Sequence, residues 1–596
     1  MEKLFFPNRR KNSSMSRLWD NMFLRRFFHG SSWKFILLLG SVSILSSMIA
    51  HDVYAKKKSC HSTMSPEELV SYYRDLRSGH RPVLIESSSD SNLSNKCSMW
   101  VTAQLLNQWK NLTATQRQEI QTLIRQHSSQ NDKVIGHFHI FYDTSGPNTP
   151  TLFDGTGTQI GDALAYVDSV GAIFNHVWDV EIGTLGFQKP PFESGDSCYN
   201  ISISDRGDGD YGITNPAELI SGTQIPERYS SNIDIDNDFI GSSFFTKGIQ
   251  ALRVTAAHEF HHAIQIGSYG YWSDDVYAYE ITSTWLEDVV YTDVNDYYQY
   301  LPNYFNLFSD GRSFNYYSSD HYHYGGYERC IWAHYLAKRF GIDIMRDVWT
   351  RMRTQPFLES TNAALVSIGS NLQEAFAEFT YWNYFTANHA NTEKYYPEGD
   401  YYPRFQPLQQ TPFSNGTSNV SCDVEALSSS MYEFDLSQDT ITVIIANVDV
   451  EAAKLRDLTK RSVGVTLSSQ SLLPPYQQLK NGLKVQISVD NISMWRSFFS
   501  IDAVRKDASP NPFRLTDARR LLLPIDDENV HTVKVYFYSS SLALAYSDDF
   551  SITYDYGTRL IVIPANKLQS KLASGVYFIF AKVSNKDYQW KVAVIR

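Results

Sequence analysis

Apolar and polar positions along this chain follow two periods, one of 3.6 residues and one of 2. The stretch "ALRVTAAHEFHHAIQI" has no proline or internal glycine, and Leu252, Ala256, Phe260 and Ala263 recur at three- and four-residue steps. That spacing predicts a helix, with Gly248 before it and Gly267 after it as start and stop. "YEITSTWLEDVVY" predicts a second helix, with Ile281, Trp285 and Val289 four residues apart. Upstream, "SPEELVSYYRDL" opens with a helix-capping signal and "TATQRQEIQTLIRQH" keeps a helical period, so residues 65–130 read as helix-rich. Residues 133–240 mix strands such as "VIGHFHIFY" with the helix "GDALAYVDSVGAIFNHVW", and residues 247–400 are mostly helical. From about Asn415 the pattern becomes short alternating runs, "TITVIIANV" and "GLKVQISV". The last runs, "VHTVKVYFYSSS", "LASGVYFIFAKV" with its Gly575 turn, and "KVAVIR", predict a small β-sandwich.

A chain of 596 residues is too long for one compact domain. The patterns divide it into an N-terminal export signal (1–55), a helical segment (56–130), a mixed domain (131–410), a β-rich domain (415–504) and a terminal β-sandwich (505–596). The fold class is α+β. Basic residues precede the apolar run "WKFILLLGSVSILSSMIA", and "VYA" ending at Ala55 offers a small-residue cleavage site. The long basic lead leaves Met15 and Met22 open as alternative starts. The apolar run is short for a membrane span, which favours cleavage over anchoring. The membrane is therefore expected to be met only transiently, during export, and the protein to be secreted or held at the outer cell surface. A net charge of −11 argues against nucleic acid as a partner. The cysteines are Cys60, Cys97, Cys198, Cys330 and Cys422. None has zinc-finger spacing, and an odd number leaves at least one thiol over. Cys60 and Cys97 flank one segment and are the expected disulfide in an oxidising compartment.

The candidate chemistry lies in "HEFHH". On a helix His258 and His262 share a face one turn apart, so two imidazoles can reach one metal ion at ~2.0–2.1 Å. Glu259 lies roughly 100° around the helix, placed to act as a base without being a ligand. His261 points elsewhere and is expected to pack or to orient a neighbour. A catalytic zinc site needs a third protein ligand and an open position. Glu280 and Glu287 share a face of the second helix; either can be the ligand while the other orients a histidine. Asp274, Asp275 and Asp288 read as loop or surface acids.

The pieces "YSSNIDIDNDF", "ALRVTAAHEFHHAIQ" and "WLEDVVYTDVNDYYQYL" resemble a family of secreted bacterial metallopeptidases of the gluzincin type. "IGHFHIFYDTSG", "DALAYVDSVGAIFNHVWDVEIGTLGFQKPP", "YNISISD", "DYGIT" and "HYGGYERCIWAHYLAKRFG" come in that family's order, so the likeness runs from Gly136 to Trp349. One departure is His261, where the family pattern leads to an aromatic. The resemblance implies a zincin-like domain with a helical active-site subdomain. It also implies Zn2+ as cofactor, and Glu280 rather than Glu287 as third ligand, since that family places a glutamate about twenty residues past HExxH. At the other end, Pro510, Asn511, Pro512 and Phe513, then "SGVYF" and the basic terminal strand, resemble the sorting domains of the type IX secretion system. That likeness implies secretion machinery as a partner.

The expected function is a zinc-dependent endopeptidase acting on protein or peptide substrates. His258, His262 and Glu280 hold zinc, and Glu259 takes the water proton and passes it to the leaving amine. An oxyanion donor is expected from "HYHYGGYE": Tyr324 first, with His321 and His323 as rivals. Two other classes remain at this stage: a surface adhesin whose zinc site is structural or inactive, and a zinc-dependent deacylase. Residues 56–130 are either an inhibitory propeptide or part of the fold.

Overall fold

The structure is a computed structural model that describes residues 64–596 except 78–96, 98, 126–128, 221–225, 308–310, 317–325, 437–438, 458, 473–475, 480–481, 490–491, 504–507, 509–510, 517–519, 526–531, 556–557 and 584–585. The export signal, Cys60, Pro510, His321, His323 and Tyr324 therefore lie outside the described residues. No helix among the described residues is long and apolar enough to cross a membrane.

Three helices come first: α1 (Pro66–Arg77), α2 (Met99–Gln108) and α3 (Ala114–Arg125). A mixed five-stranded sheet follows, built from β1 (Asn131–Ile135), β2 (Phe138–Tyr142), β5 (Tyr199–Ser204), β6 (Gly212–Leu219) and β7 (Tyr229–Asp236). Between β2 and β5 lie the short pair β3 (Leu152–Phe153) and β4 (Gln159–Gly161) and the helix α4 (Ala163–Trp178). The sheet order is β1-β2-β5-β7-β6. β2, β5 and β7 run parallel, while β6 pairs antiparallel with β7 and forms an edge. Every residue of β7 is buried, as expected of a strand covered on both faces.

Helix α5 (Gly248–Ile264) packs on this sheet, and α6 (Val276–Val290) packs on α5. Phe260 fixes the rotation of α5. Its ring meets Phe138, Trp178 and Tyr199 at centroid distances of 5.5, 5.5 and 5.9 Å. Such pairs are each worth ~0.5–1.5 kcal/mol beyond area burial. With Phe260 committed to the sheet side, His258 and His262 face α6, roughly 200° around the helix. The expected stop at Gly267 is not where α5 ends. The α-helix closes at Ile264, widens into a π turn through Tyr269, and stops at Gly270 with φ +101°. Gly267 instead permits close packing, since a Cβ there would lie 2.5 Å from Pro191 Cδ.

Further helices run to Trp382, and the β-rich region begins at Gln409. Residues 409–503 form two four-stranded sheets around one apolar core. Ala426, Leu427, Met431 and Ile444 of this region also belong to the core of the helical part, so apolar packing runs across residues 410–415 without a break. Residues 513–595 have their own core and form one seven-stranded sheet rather than two separate sheets. The long strand Leu544–Asp555 accounts for the difference. Its first part pairs with Thr532–Ser539 and its last part with Thr558–Pro564, so one continuous sheet wraps the core. Phe513 and Arg514 pair with Val594 and Ile595, while the Asn511 side chain donates to Lys591 O at 2.9 Å and accepts from Ala593 N at 2.9 Å.

Candidate metal centre

Helices α5 and α6 bring three donor atoms together. His258 Nε2 lies 3.1 Å from His262 Nε2 and 3.1 Å from Glu280 Oε2, and His262 Nε2 lies 3.4 Å from the same oxygen. Donors held tetrahedrally at ~2.0–2.1 Å from a zinc ion stand roughly 3.3 Å apart, so these separations suit one small cation. All three side chains are buried.

The far side of each imidazole is held as well. His258 Nδ1 lies 2.7 Å from Glu287 Oε1. His262 Nδ1 lies 2.8 Å from Gln265 Oε1 and 3.1 Å from Ser283 Oγ, and Gln265 Nε2 donates to Tyr279 O at 3.0 Å. A proton on each Nδ1 satisfies the carboxylate or amide oxygen there and turns each Nε2 lone pair inward. The π turn has a part in this, because it carries Gln265. Glu280 and Glu287 thus share a helix face but take different places: Glu280 joins the inward donors, and Glu287 braces His258 from behind.

Without a cation the cluster is strongly coupled. Burial alone lowers the His258 pKa, but hydrogen bonds from Glu280 and Glu287 push it up to about 9. Burial alone raises Glu280, but His262 and His258 bring it down to about 2. A cation would replace a proton on His258.

Glu259 lies beside the cluster on α5. Thr214 of β6 donates from Oγ1 to Glu259 Oε2 and shares the same hydroxyl with Glu259 O, both at 2.8 Å. Gly212, on the same edge strand, leaves room here: a Cβ would come within 3.1 Å of Glu259 Cγ and of Asp234 O. His261 faces the other way. Its Nδ1 lies 3.0 Å from Glu181 Oε2, and its ring meets Phe187 and Trp349 edge-on.

A fourth donor comes from outside the two helices. Cys97 is buried, and its thiol belongs with His258, His262 and Glu280 to a group whose ligand atoms all lie within 4.8 Å of one another. It is a free cysteine, and its expected partner Cys60 lies outside the described residues. The backbone explains its position: Cys97 makes a parallel β-bridge to Gly212, and its Sγ accepts from Met99 N at 3.2 Å. The thiol also hydrogen-bonds Glu259. Tyr327 donates to Cys97 O at 3.1 Å, and its ring lies 5.8 Å from that of His258. Neither Cys97 nor Tyr327 stood out in the sequence as a site residue. The only signals were an unpaired thiol in an odd count and the aromatic segment that also contains Tyr324.

Two of the acids expected at the surface are not there. Asp274 is exposed, but Asp275 is buried and accepts from Phe357 N at 2.7 Å, because α6 begins beneath a later helix. Burial raises Asp275 to about 6. Asp288 is partly enclosed, 3.8 Å from His334 Nδ1, and burial together with Glu398 and Glu287 raises it to about 8. Compared with known proteins, the chain matches no protein-family model and no curated sequence.

Proposed function

We propose that the chain is a zinc-dependent endopeptidase with a zincin-like fold around α5 and α6. The carrying observation is the convergence of His258 Nε2, His262 Nε2 and Glu280 Oε2, with the Glu259 carboxylate alongside. Zinc bound by these three would polarise a scissile carbonyl and bring the pKa of water toward ~7. Glu259, held by Thr214, takes the proton from the attacking water and delivers it to the departing amide nitrogen. Glu287, Gln265 and Ser283 keep both imidazoles in the binding tautomer. The outer edge of β6, where Cys97 bridges Gly212, is the strand beside Glu259 that an extended peptide would pair with once uncovered. Secretion to the medium or the cell surface, with the terminal sheet acting as sorting domain, belongs to the same reading and rests on the sequence resemblance.

Glu259→Gln tests it. The variant should keep its zinc and its unfolding midpoint while cleavage of a casein-type substrate falls ~10²–10⁴-fold, the scale of general-base catalysis. Unchanged cleavage would remove Glu259 from the reaction.

Cys97 favours a second reading, because four protein ligands are the mark of a structural zinc site. Glu259 weighs against it: a closed structural site has no use for a buried carboxylate poised beside the ligands.

A further inference from the structure

We infer that Cys97 is a removable fourth ligand, and that the segment carrying it holds the metal centre in a latent state. This rests on the zinc reading above. The geometry combines two contacts. The thiol joins the donor cluster, and the backbone at Cys97 bridges the open side of β6 at Gly212. The helices around it continue the cover along the same edge. Thr102 of α2 donates from Oγ1 to Thr214 O at 2.9 Å, using an edge-strand carbonyl that a substrate strand would need. Tyr271 donates to Asn107 at 3.1 Å, and Asn232 donates to Ile124 O at 3.4 Å, which fastens α2 and α3 to the rest of the fold.

A permanent structural ligand would not be expected in this place. Cys97 runs parallel to Gly212, on the strand edge that the peptidase reading assigns to substrate. One segment therefore blocks two things at once: a coordination position and the substrate edge. The proton balance is simple. As zinc binds, the Sγ–H bond breaks, the sulfur lone pair goes to the cation, and the thiol proton is released to solvent. When the segment leaves, Cys97 recovers a proton from solvent and water takes the vacated place.

The test uses the full chain loaded with zinc, with X-ray absorption at the zinc edge, metal stoichiometry and cleavage of a casein-type substrate as separate readouts. The wild-type chain should show one sulfur neighbour at ~2.3 Å beside nitrogen and oxygen neighbours at ~2.0–2.1 Å. Cys97→Ser and Cys97→Ala should lose the sulfur neighbour, keep about one zinc per chain, and cleave at least tenfold faster than wild type. Two variants guard against a misfolded one, and the wild-type spectrum needs neither. Zinc bound without a sulfur neighbour would overturn the inference and leave the three-ligand site standing. A sulfur neighbour that both variants lose with no gain in cleavage would overturn latency in favour of a structural centre. A chain that takes up no zinc at all would instead sink the metal reading beneath it.

Discussion

Glu287 provides the sharpest check on how the centre is organised. Its side chain is fully buried, and its Oε1 lies 2.7 Å from His258 Nδ1, on the far side of the ring from the donor cluster. It should therefore tune metal binding without being a ligand. Two opposing effects follow from Glu287→Gln. Losing a charge-assisted partner that orients a ligating imidazole typically costs 10–100-fold in affinity, about 1.4–2.7 kcal/mol. Glu287 also helps push His258 up to about 9 in the metal-free protein, so a proton competes with the metal below that pH. Removing the carboxylate weakens that competition strongly at pH 7 but by at most about twofold at pH 9, where the proton is already half gone. The loss of affinity should thus be larger at pH 9 than at pH 7. Zinc affinity measured against a chromophoric chelator at both values would read this directly. An unfolding curve with saturating zinc would show that the variant still folds. Glu280→Ala, measured alongside, should lose far more than Glu287→Gln at either pH. Wild-type affinity for Glu287→Gln at pH 9 would refute the bracing role. A loss as large as that of Glu280→Ala would make Glu287 a ligand.

Two further outcomes are expected. His262→Ala should lose its zinc on dialysis, since it removes an inward donor and leaves Gln265 and Ser283 facing a void; retention of one zinc per chain would contradict the site. For Asp275, whose pKa is raised to about 6 by burial, the stability contributed by the neutral form is lost as pH rises from the unfolded value of ~4 to 6. Asp275→Asn, which stays neutral, should gain stability relative to wild type as pH rises from ~4 to 6 and level off above 6, at about 3 kcal/mol; a difference that stays flat between those two values in chemical denaturation would refute the account.

The helices that hold the centre were legible because their apolar period is local. Leu252, Ala256 and Phe260 give α5, and Ile281 and Trp285 give α6, with all five buried. The spacing of His258 and His262 is equally local. What was hidden depended on contacts between distant segments. Gly267 has the look of a helix stop, yet its lack of a side chain serves packing against Pro191, and the stop passes to Gly270. Asp275 reads as a loop acid until the start of the helix Phe357–Ser367 closes over it. Cys97 has no period or motif linking it to His258; only its bridge to Gly212 puts it at the centre. Glu280 and Glu287 could not be ranked by helix face alone. Their difference is one of depth along α6, which only the placement of α6 against α5 resolves.

The covered edge at β6 also bears on solubility. An open strand edge presents unpaired N–H and C=O groups to any neighbouring chain, and proteins avoid this with charges, bulges or a cover. The defences of β6 itself, Pro216 with the register shift after it and Glu218, come only in its second half; from Gly212 to Asn215 it is wholly buried and carries no charged side chain. The helices Met99–Gln108 and Ala114–Arg125 supply the cover. A chain beginning at Asn131 would bare that edge along an uncharged stretch and invite edge-to-edge association between copies. The N-terminal helices would then act as an internal chaperone for the sheet, and their departure would be tolerable only where dilution is high or a peptide stands ready to take their place.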